Sequence, residues 1–505
     1  MRLVLDYLEE ATLKNKNKIA VIEEEKKITY EELLFHSKKI GSYLLDFVKM
    51  NEPVIVFMDK GIETLEIFFG ILYAGGCYSL INPELPASRL KLTNEVLKSK
   101  VVITNEENYL KAKENYGELT VLKIDEILRG IAEVNEEGLN KVREAKIDLD
   151  PVYINFTSGS TGVPKGVVVG NRSILDFIDI FTKEFHFNEK DLIANQAPFD
   201  FDVSVKDIYS ALCVGATLVI VPKKLFSSPA ALLDYLVDNK VTTMTWAVSA
   251  LCLITTFHGL DYKVPTTVKK ILFSGEVMPI KHLKMWMDKL PEAEFINVYG
   301  PTEITCNCTY YRIKRDVEYI ELPIGKPFKN ERILLLDGDD KEVKEMETPG
   351  EICVAGTCLA LGYYSNEEQT NKAFVRNPLN KNYIEYIYRT GDLGKYNKDG
   401  DLVFVGRKDF QIKYQGHRIE LEEIDRQVMG VEAVRRVCTV FYEKKNKLYC
   451  FYVGEATKEE IVEYLHKNVP EYMVPSKFKQ IDNFVLNKNG KIDRKVLIAM
   501  IEEGI

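Results

Sequence analysis

Residues 156–166 read Phe156-Thr157-Ser158-Gly159-Ser160-Thr161-Gly162-Val163-Pro164-Lys165-Gly166. An apolar-aromatic run, 152–156, leads in, and a second apolar run, 167–169, leads out. Between them sit three glycines and four hydroxyl side chains, ending on one lysine. Glycine lets the backbone turn and come close to a ligand. Exposed N–H groups and hydroxyls in such a loop cradle an anion, and the lysine adds a point charge. The comparison with a P-loop fails, because that loop needs Gly-Lys adjacent, then Ser or Thr, at the start of a helix. Here Pro164 precedes Lys165, Gly166 follows it, and the chain continues as a strand. The reading is strand, phosphate-type loop, strand. A flexible polar turn is the plainer alternative, and composition alone does not name the phosphate.

Upstream, residues 1–150 alternate helix-like and strand-like patterns. Residues 3–12 suggest a helix, 19–22 with 27–29 a strand pair, and 30–47 an amphipathic helix with Leu33, Leu34, Ile40 and Leu44 on its apolar side. Strands are expected at 54–58, 77–81 and 101–104, with helices at 62–74 and 87–98. This βα alternation predicts a parallel, doubly wound sheet. The charged stretch 111–150 is placed at the periphery. Residues 151–330 repeat the theme, with Ser173 read as the N-cap of a helix through Phe185 and 211–222 as a buried strand region. From about Ile320 the pattern turns strand-rich, with Asp337-Gly338 and Asp399-Gly400 turns, as in a small β-subdomain. After Gly406 the pattern is α+β: a helix at 420–429, a hairpin over 436–453, and a helix opened by the capping box Thr457-x-x-Glu460.

Bulk numbers bound the function. The 505 residues allow two or more domains. The net charge of −9 argues against a general nucleic-acid binder. Residues 1–15 carry Asp6, Glu9 and Glu10 and do not read as a secretion signal. No run of ~18 uncharged apolar residues predicts a transmembrane helix, so no membrane insertion and a cytoplasmic location are expected. The nine cysteines are scattered and read as reduced core thiols. Cys306 and Cys308 are the one close pair, and core or pocket lining suits them better than a metal site.

Taken together, several stretches resemble one family. They are Thr29-Tyr30-Glu31-Glu32-Leu33, residues 74–83, the loop 157–166, Phe201-Asp202-Val203-Ser204, Asn297-Val298-Tyr299-Gly300-Pro301-Thr302-Glu303, Gly350-Glu351-Ile352, Tyr388-Arg389-Thr390-Gly391-Asp392, Gly406-Arg407-Lys408-Asp409, residues 413–423, Pro470-Glu471-Tyr472-Met473-Val474-Pro475 and Asn489-Gly490-Lys491-Ile492-Asp493-Arg494. Each is a weak signal alone, and their order is a strong one. The chain resembles amino-acid-activating enzymes of the acyl-adenylate-forming superfamily over nearly its whole length. It is most similar there to D-alanine–carrier-protein ligases and to stand-alone adenylation domains of non-ribosomal peptide synthesis. The implied fold class is α/β: a large N-terminal domain of doubly wound sheets plus a small β-subdomain, with a mobile C-terminal α+β domain. The expected bounds are a core at 1–406 (α/β subdomains 1–150 and 151–320, β-rich subdomain 321–406), a hinge at 407–411 and the mobile domain at 412–505.

The resemblance implies a two-step ligase using ATP and Mg²⁺. An amino-acid carboxylate attacks the α-phosphorus of ATP, and a phosphopantetheine thiol of a carrier protein then takes the acyl group. The carboxylate is already ionised at neutral pH, so charge and positioning should dominate over base catalysis. By resemblance Lys491 supplies the main charge, Glu303 holds Mg²⁺ and Thr302 meets the α-phosphate. Thr157, Ser158, Gly159, Thr161 and Lys165 meet the β- and γ-phosphates. Asn297, Tyr299 and Gly300 belong to the nucleotide site, with Tyr299 stacking on adenine or else serving as core. Asp392 binds ribose hydroxyls and Arg407 binds ribose or phosphate.

Asp202 is implied to pair with the substrate α-ammonium, although an N-cap role suits it too. This acid disfavours an acid–CoA ligase. The rival of a different class, an inactive binding or scaffold protein, is disfavoured by the presence of Lys165, Glu303, Asp392, Arg407 and Lys491. The side-chain pocket is expected from Val203, Lys206, Thr245, Leu272, Ser274, Val298, Cys306 and Asn307. Lys206 is unusual there. D-alanine ligases tend to have an apolar residue, and some glutamate-activating domains a lysine, so a polar or acidic substrate is one expectation. An outward Lys206 beside Asp207 would leave a small pocket and D-alanine. Asp409 is the implied hinge, and Lys413 to Gly416 the face presented for thiolation. No serine in a Gly-Gly-x-Ser setting stands near the carboxyl end, so a separate carrier is expected. The sequence Ala360-Leu361-Gly362-Tyr363 departs from the family's Ala-Arg-Gly-Tyr, which puts local packing in question.

Overall fold

The computed structural model describes residues 2–130, 132–157, 163–408, 411–486 and 492–504. It divides into two compact units. The first comprises Met1–Pro83, Leu97–Asn155 and Gly166–Lys408; the second comprises Glu84–Val96, Phe156–Lys165 and Asp409–Ile505.

Two parallel-cored sheets and one antiparallel sheet build the first unit. The larger has nine strands, in the order Lys326–Pro327, Thr309–Arg312, Glu294–Tyr299, Lys270–Ser274, Thr243–Ala247, Leu192–Asn195, Thr217–Ile220, Ile19–Glu23 and Lys26–Thr29. The six from Glu294–Tyr299 to Ile19–Glu23 run parallel, with antiparallel strands closing both edges. A seven-stranded sheet takes Gly362–Tyr363, Lys165–Gly170, Pro151–Thr157, Cys77–Leu80, Pro53–Phe57, Val101–Thr104 and Thr120–Lys123. The antiparallel sheet holds Glu331–Leu336, Gly350–Gly356, Tyr386–Tyr396, Phe374–Arg376 and Leu402–Arg407. One apolar core unites side chains of both parallel-cored sheets with the helices Ile62–Tyr73, Asn171–Glu184 and Val203–Val214. A second core sets the helices Pro229–Asp238, Val248–Thr256 and Ile280–Lys289 on the nine-stranded sheet. Helices therefore cover both faces of that sheet, which is the doubly wound arrangement the βα alternation predicts.

Local signals hold in most places. Thr29 and Glu32 cap the helix Tyr30–Leu44 reciprocally, and Thr457 with Glu460 forms the expected capping box. Two readings are corrected, and one sheet pairing is new. The helix read from Ser173 begins at Asn171, with Gly170 as N-cap; Ser173 lies inside it and donates to the Leu359 carbonyl at 2.9 Å. The region 211–222 is a helix end, a left-handed turn at Gly215 (φ +69°) and the strand Thr217–Ile220. The hairpin Ile19–Thr29 joins the nine-stranded sheet rather than the strands next to it in sequence, because Val21 to Glu23 pair with Leu218 to Ile220.

In the second unit the hairpin Gln411–Tyr414/His417–Glu420 leads into the helix Leu421–Val428. The strands Val434–Tyr442, Lys447–Gly454 and Lys477–Gln480 make a three-stranded sheet. Apolar clusters form around the helices Leu421–Val428 and Lys458–Asn468, and around the helix Arg494–Glu502. Arg89 and Glu423 form a buried ion pair of 2.6 Å within this unit.

Candidate active site

The nine-stranded sheet changes winding direction at Leu192–Asn195. Its successor Thr217–Ile220 lies on one side, and Thr243–Ala247 on the other. The crevice beyond the carboxyl ends of strands at such a switch point is where doubly wound folds bind ligands. Asn195 stands there and donates from Nδ2 to Asp207 Oδ2 at 2.9 Å. Thr245 Oγ1 donates to the other Asp207 oxygen. Burial pushes the Asp207 carboxyl up to about 7; Lys206 and the Asn195 bond oppose the shift. Lys60, at the end of the strand Pro53–Phe57, donates to Asn195 Oδ1 at 3.0 Å and to the Gln196 carbonyl at 2.9 Å. Burial pulls its ammonium down to about 7.

Asp202 occupies the N-cap position of the helix Val203–Val214, yet its side chain makes no capping hydrogen bond. Its charge reaches the buried Tyr153, whose pKa is raised by burial first and by Asp202 and Cys306 next. The Tyr153 hydroxyl has no hydrogen-bond partner among the described residues. One turn after Asp202, Lys206 is 0% exposed. Its Nζ lies 3.2 Å from Asn307 Oδ1 and 3.4 Å from Ser274 Oγ. The outward alternative for Lys206 is thus overturned. Lysine adopts this burial because its stem packs in the sheet–helix core while its head finds acceptors at the strand end. Cys306 and Asn307 are delivered by a left-handed pair, Thr305 (φ +57°) and Cys306 (φ +87°), after the short turn Thr302–Ile304. Such φ values are uncommon for non-glycine residues and cluster at functional sites. Gly300 makes the turn possible, since a Cβ there would stand 2.6 Å from Asn307 Cα. Leu272 and Val298 are buried on neighbouring parallel strands, and Val203 is half-buried at the helix start.

A second cluster gathers at Tyr299. Its ring packs among Ile304, Cys308 and Ile324, and its hydroxyl donates to Asp392 Oδ2. Arg407 takes the other Asp392 oxygen. Asn297 donates to the Pro323 carbonyl at 2.8 Å. Glu303 is 1% exposed and accepts from the Tyr363 hydroxyl at 2.7 Å; Thr302 beside it is half-buried. Tyr363 ends the 360–363 stretch, which departs from the family pattern only at Leu361. Gly362 (φ +120°) faces Thr370 too closely for a Cβ, and Leu361 stays on the surface. The missing arginine is therefore replaced at an exposed position.

Thr157 ends one strand and Lys165 begins the next, and these two strands are sheet neighbours. In the second unit Lys413 pairs with Arg418 across a hairpin whose two turn residues, Gln415 (φ +52°) and Gly416 (φ +82°), are both left-handed. That is the signature of a type I′ turn. Ser158, Gly159, Thr161, Asp409 and Lys491 lie outside the described residues.

The structure brings Lys206, Ser274, Asn307 and Cys306 into contact, and separately Tyr299, Asp392 and Arg407. Thr245 reaches this region through Asp207. Sequence reading missed Lys60 and Tyr153. For Lys60 the available signal was its place just beyond the end of a parallel strand; Tyr153, inside its strand, offered none. Among the described residues no group of three His, Cys, Asp or Glu side chains could hold a metal. Mg²⁺ needs no such cage, because it takes one or two carboxylates plus substrate phosphates and water. Glu303, a hard oxygen donor, fits that requirement.

Doubly wound sheets with polar side chains converging at strand ends define an α/β ligand-binding enzyme. The chain belongs to the AMP-binding enzyme family, whose model matches residues 8–364. It is 32% identical to tyrocidine synthase 3 of Brevibacillus parabrevis over 97% of this chain, but spans only 7% of that protein. It is 31% identical to zwittermicin A synthase ZmaJ of Bacillus cereus, over 97% of this chain and 94% of the relative. Its fold is that of the Vibrio cholerae adenylation domain AlmE, solved with glycyl-adenosine-5′-phosphate: TM-score 0.85, 21% identity, 99% of this chain and 98% of that one. No described helix is long and apolar enough to cross a membrane.

Proposed function

We propose that this chain activates an amino acid as aminoacyl-AMP and then passes the acyl group to the phosphopantetheine thiol of a carrier protein. The observation that carries the reading is Asp202. In a chain of the AMP-binding family, this acid opens the helix Val203–Val214 without capping it, one turn from the buried Lys206. An acid so placed suits an ammonium group, because a low-dielectric site strengthens the pair. With Lys206 turned inward beside Ser274 and Asn307, the lining residues suit an amino acid with a polar side chain rather than D-alanine.

In this reading the substrate carboxylate attacks the α-phosphorus of ATP, and the bond to pyrophosphate breaks. The carrier thiol next attacks the acyl carbon, and AMP leaves with the bonding electron pair. Asp202 orients the ammonium. Asp392, held by Arg407 and Tyr299, offers its carboxylate to the ribose hydroxyls. Thr157, Lys165 and Thr302 bind phosphate oxygens, and Lys491 supplies charge at the reacting carboxylate. Glu303 would hold Mg²⁺, which when bound neutralises phosphate charge. Residues 1–406 serve as the adenylation core, 407–411 as the hinge, centred on Asp409, and 412–505 as the mobile domain, with Lys413 to Gly416 as the thiolation face. Amino-acid-dependent exchange of pyrophosphate into ATP, across amino acids of both hands, tests the reading. Exchange with a restricted set, abolished in Lys491→Ala, is expected; unchanged exchange in that variant contradicts the mechanism.

A further inference from the structure

Lys206 poses a physical problem that its neighbours do not solve. Its ammonium is fully buried, and its hydrogen-bond partners are both neutral, at 3.2 and 3.4 Å. These distances are at or beyond the long end for N–H···O bonds. Asp207, the neighbouring acid, is engaged by Asn195 and Thr245 instead. Burial also holds the Asp207 carboxyl near neutral pH, so it is an incomplete counter-charge. A buried cation in this state is costly unless an anion joins it.

The second element is spacing. Asp202 and Lys206 are four residues apart at the start of one helix. Side chains at this spacing share a face, with about 5–6 Å between their Cβ atoms. A negative and a positive group one turn apart match a ligand with an ammonium at one end and a carboxylate at the other. Tyr153, within electrostatic reach of Asp202 and Cys306, has a buried hydroxyl without a partner among the described residues.

We infer that the substrate is a dicarboxylic amino acid whose side-chain carboxylate pairs with Lys206 and is flanked by Asn307 and Ser274. This rests on the amino-acid adenylation reading and narrows it. Lys206 is then the specificity-determining residue, and Asp202 and Lys206 together measure the substrate's length and charge.

The test is pyrophosphate exchange by the full chain with aspartate, glutamate, asparagine, glutamine and alanine of both hands, followed by the remaining proteinogenic amino acids. A site built around a buried charge should favour the acid over its amide by roughly a hundredfold in kcat/KM. Lys206→Met should remove most of that preference, lowering kcat/KM for the acid far more than for its amide. Lys206→Arg should keep the preference for acid. A neutral amino acid preferred by the wild type overturns this inference and leaves adenylation standing. No exchange with any amino acid brings down the adenylation reading, and this inference with it. Should Lys206→Met fail to fold, the wild-type ranking alone decides.

Discussion

Lys408 Nζ stands 2.9 Å from Glu351 Oε2, the same carboxylate oxygen that receives two N–H groups of Arg389, at 2.9 and 2.6 Å. The other Glu351 oxygen accepts the Gly391 N–H at 3.2 Å. Gly391 is left-handed (φ +73°) and sets the direction of Asp392. One buried carboxylate thus ties the turn before Asp392 to the last residue of the first unit. Burial favours its neutral form, but Arg389 and Lys408 outweigh burial and hold its pKa below the ordinary value.

Glu351→Gln should therefore loosen the Asp392 turn. The expected result is a several-fold rise in KM for ATP with a smaller change in kcat, and about 2 kcal/mol less stability from weakened charge-assisted bonds. Steady-state exchange against ATP concentration, with urea unfolding, measures both. Because the native pKa is depressed, this contribution is present above the unfolded carboxylate range and is lost as pH falls through the native value.

Glu331 has the opposite sign. It is buried, and burial pushes its pKa up to about 8, with the neighbouring Cys358 thiol partly opposing. A raised carboxyl pKa gives stability that is full below the unfolded value and is lost as pH rises through about 8. Glu331→Gln should flatten the fall in melting temperature between pH 5 and 9 and gain roughly 1–3 kcal/mol at the alkaline end.

Gly300→Ala would place a methyl 2.6 Å from both Asn307 Cα and the Cys306 carbonyl oxygen. The left-handed Thr305–Cys306 turn should shift, costing about 1–3 kcal/mol. Amino-acid KM should rise along with ATP KM, because this turn links the Lys206 pocket to Tyr299. Unchanged amino-acid KM would show that the turn does not shape the pocket.

Much of the architecture was legible because periodicity is a local signal: the helix Ile62–Tyr73 lies where its pattern placed it, and Thr457 with Glu460 caps the helix Lys458–Asn468. Pairing across sheets was not, since nothing in residues 19–29 names Leu218 as a neighbour. Ser173 shows the same limit: its hydroxyl answers a carbonyl 186 residues away, not its own helix. Pocket members could be named by resemblance, but the direction of Lys206 could not, because Asn307 reaches it only through the turn at Thr305 and Cys306.

Asp409→Pro is expected to leave adenylation near the wild-type rate and to abolish transfer to a carrier thiol, as a stiffened backbone limits φ at the proposed hinge. Loading of a phosphopantetheinylated carrier, measured beside pyrophosphate exchange, separates the two. Equal loss of both counts against the hinge.

The most direct measurement is the product of a single turnover. The chain is mixed with ATP labelled at the α-phosphate and the amino acid that it prefers, without thiol, and the quenched mixture is resolved. The account predicts aminoacyl-AMP, close to one per site, with an equal amount of pyrophosphate. ADP and inorganic phosphate, or no consumption of ATP with any amino acid, would contradict it.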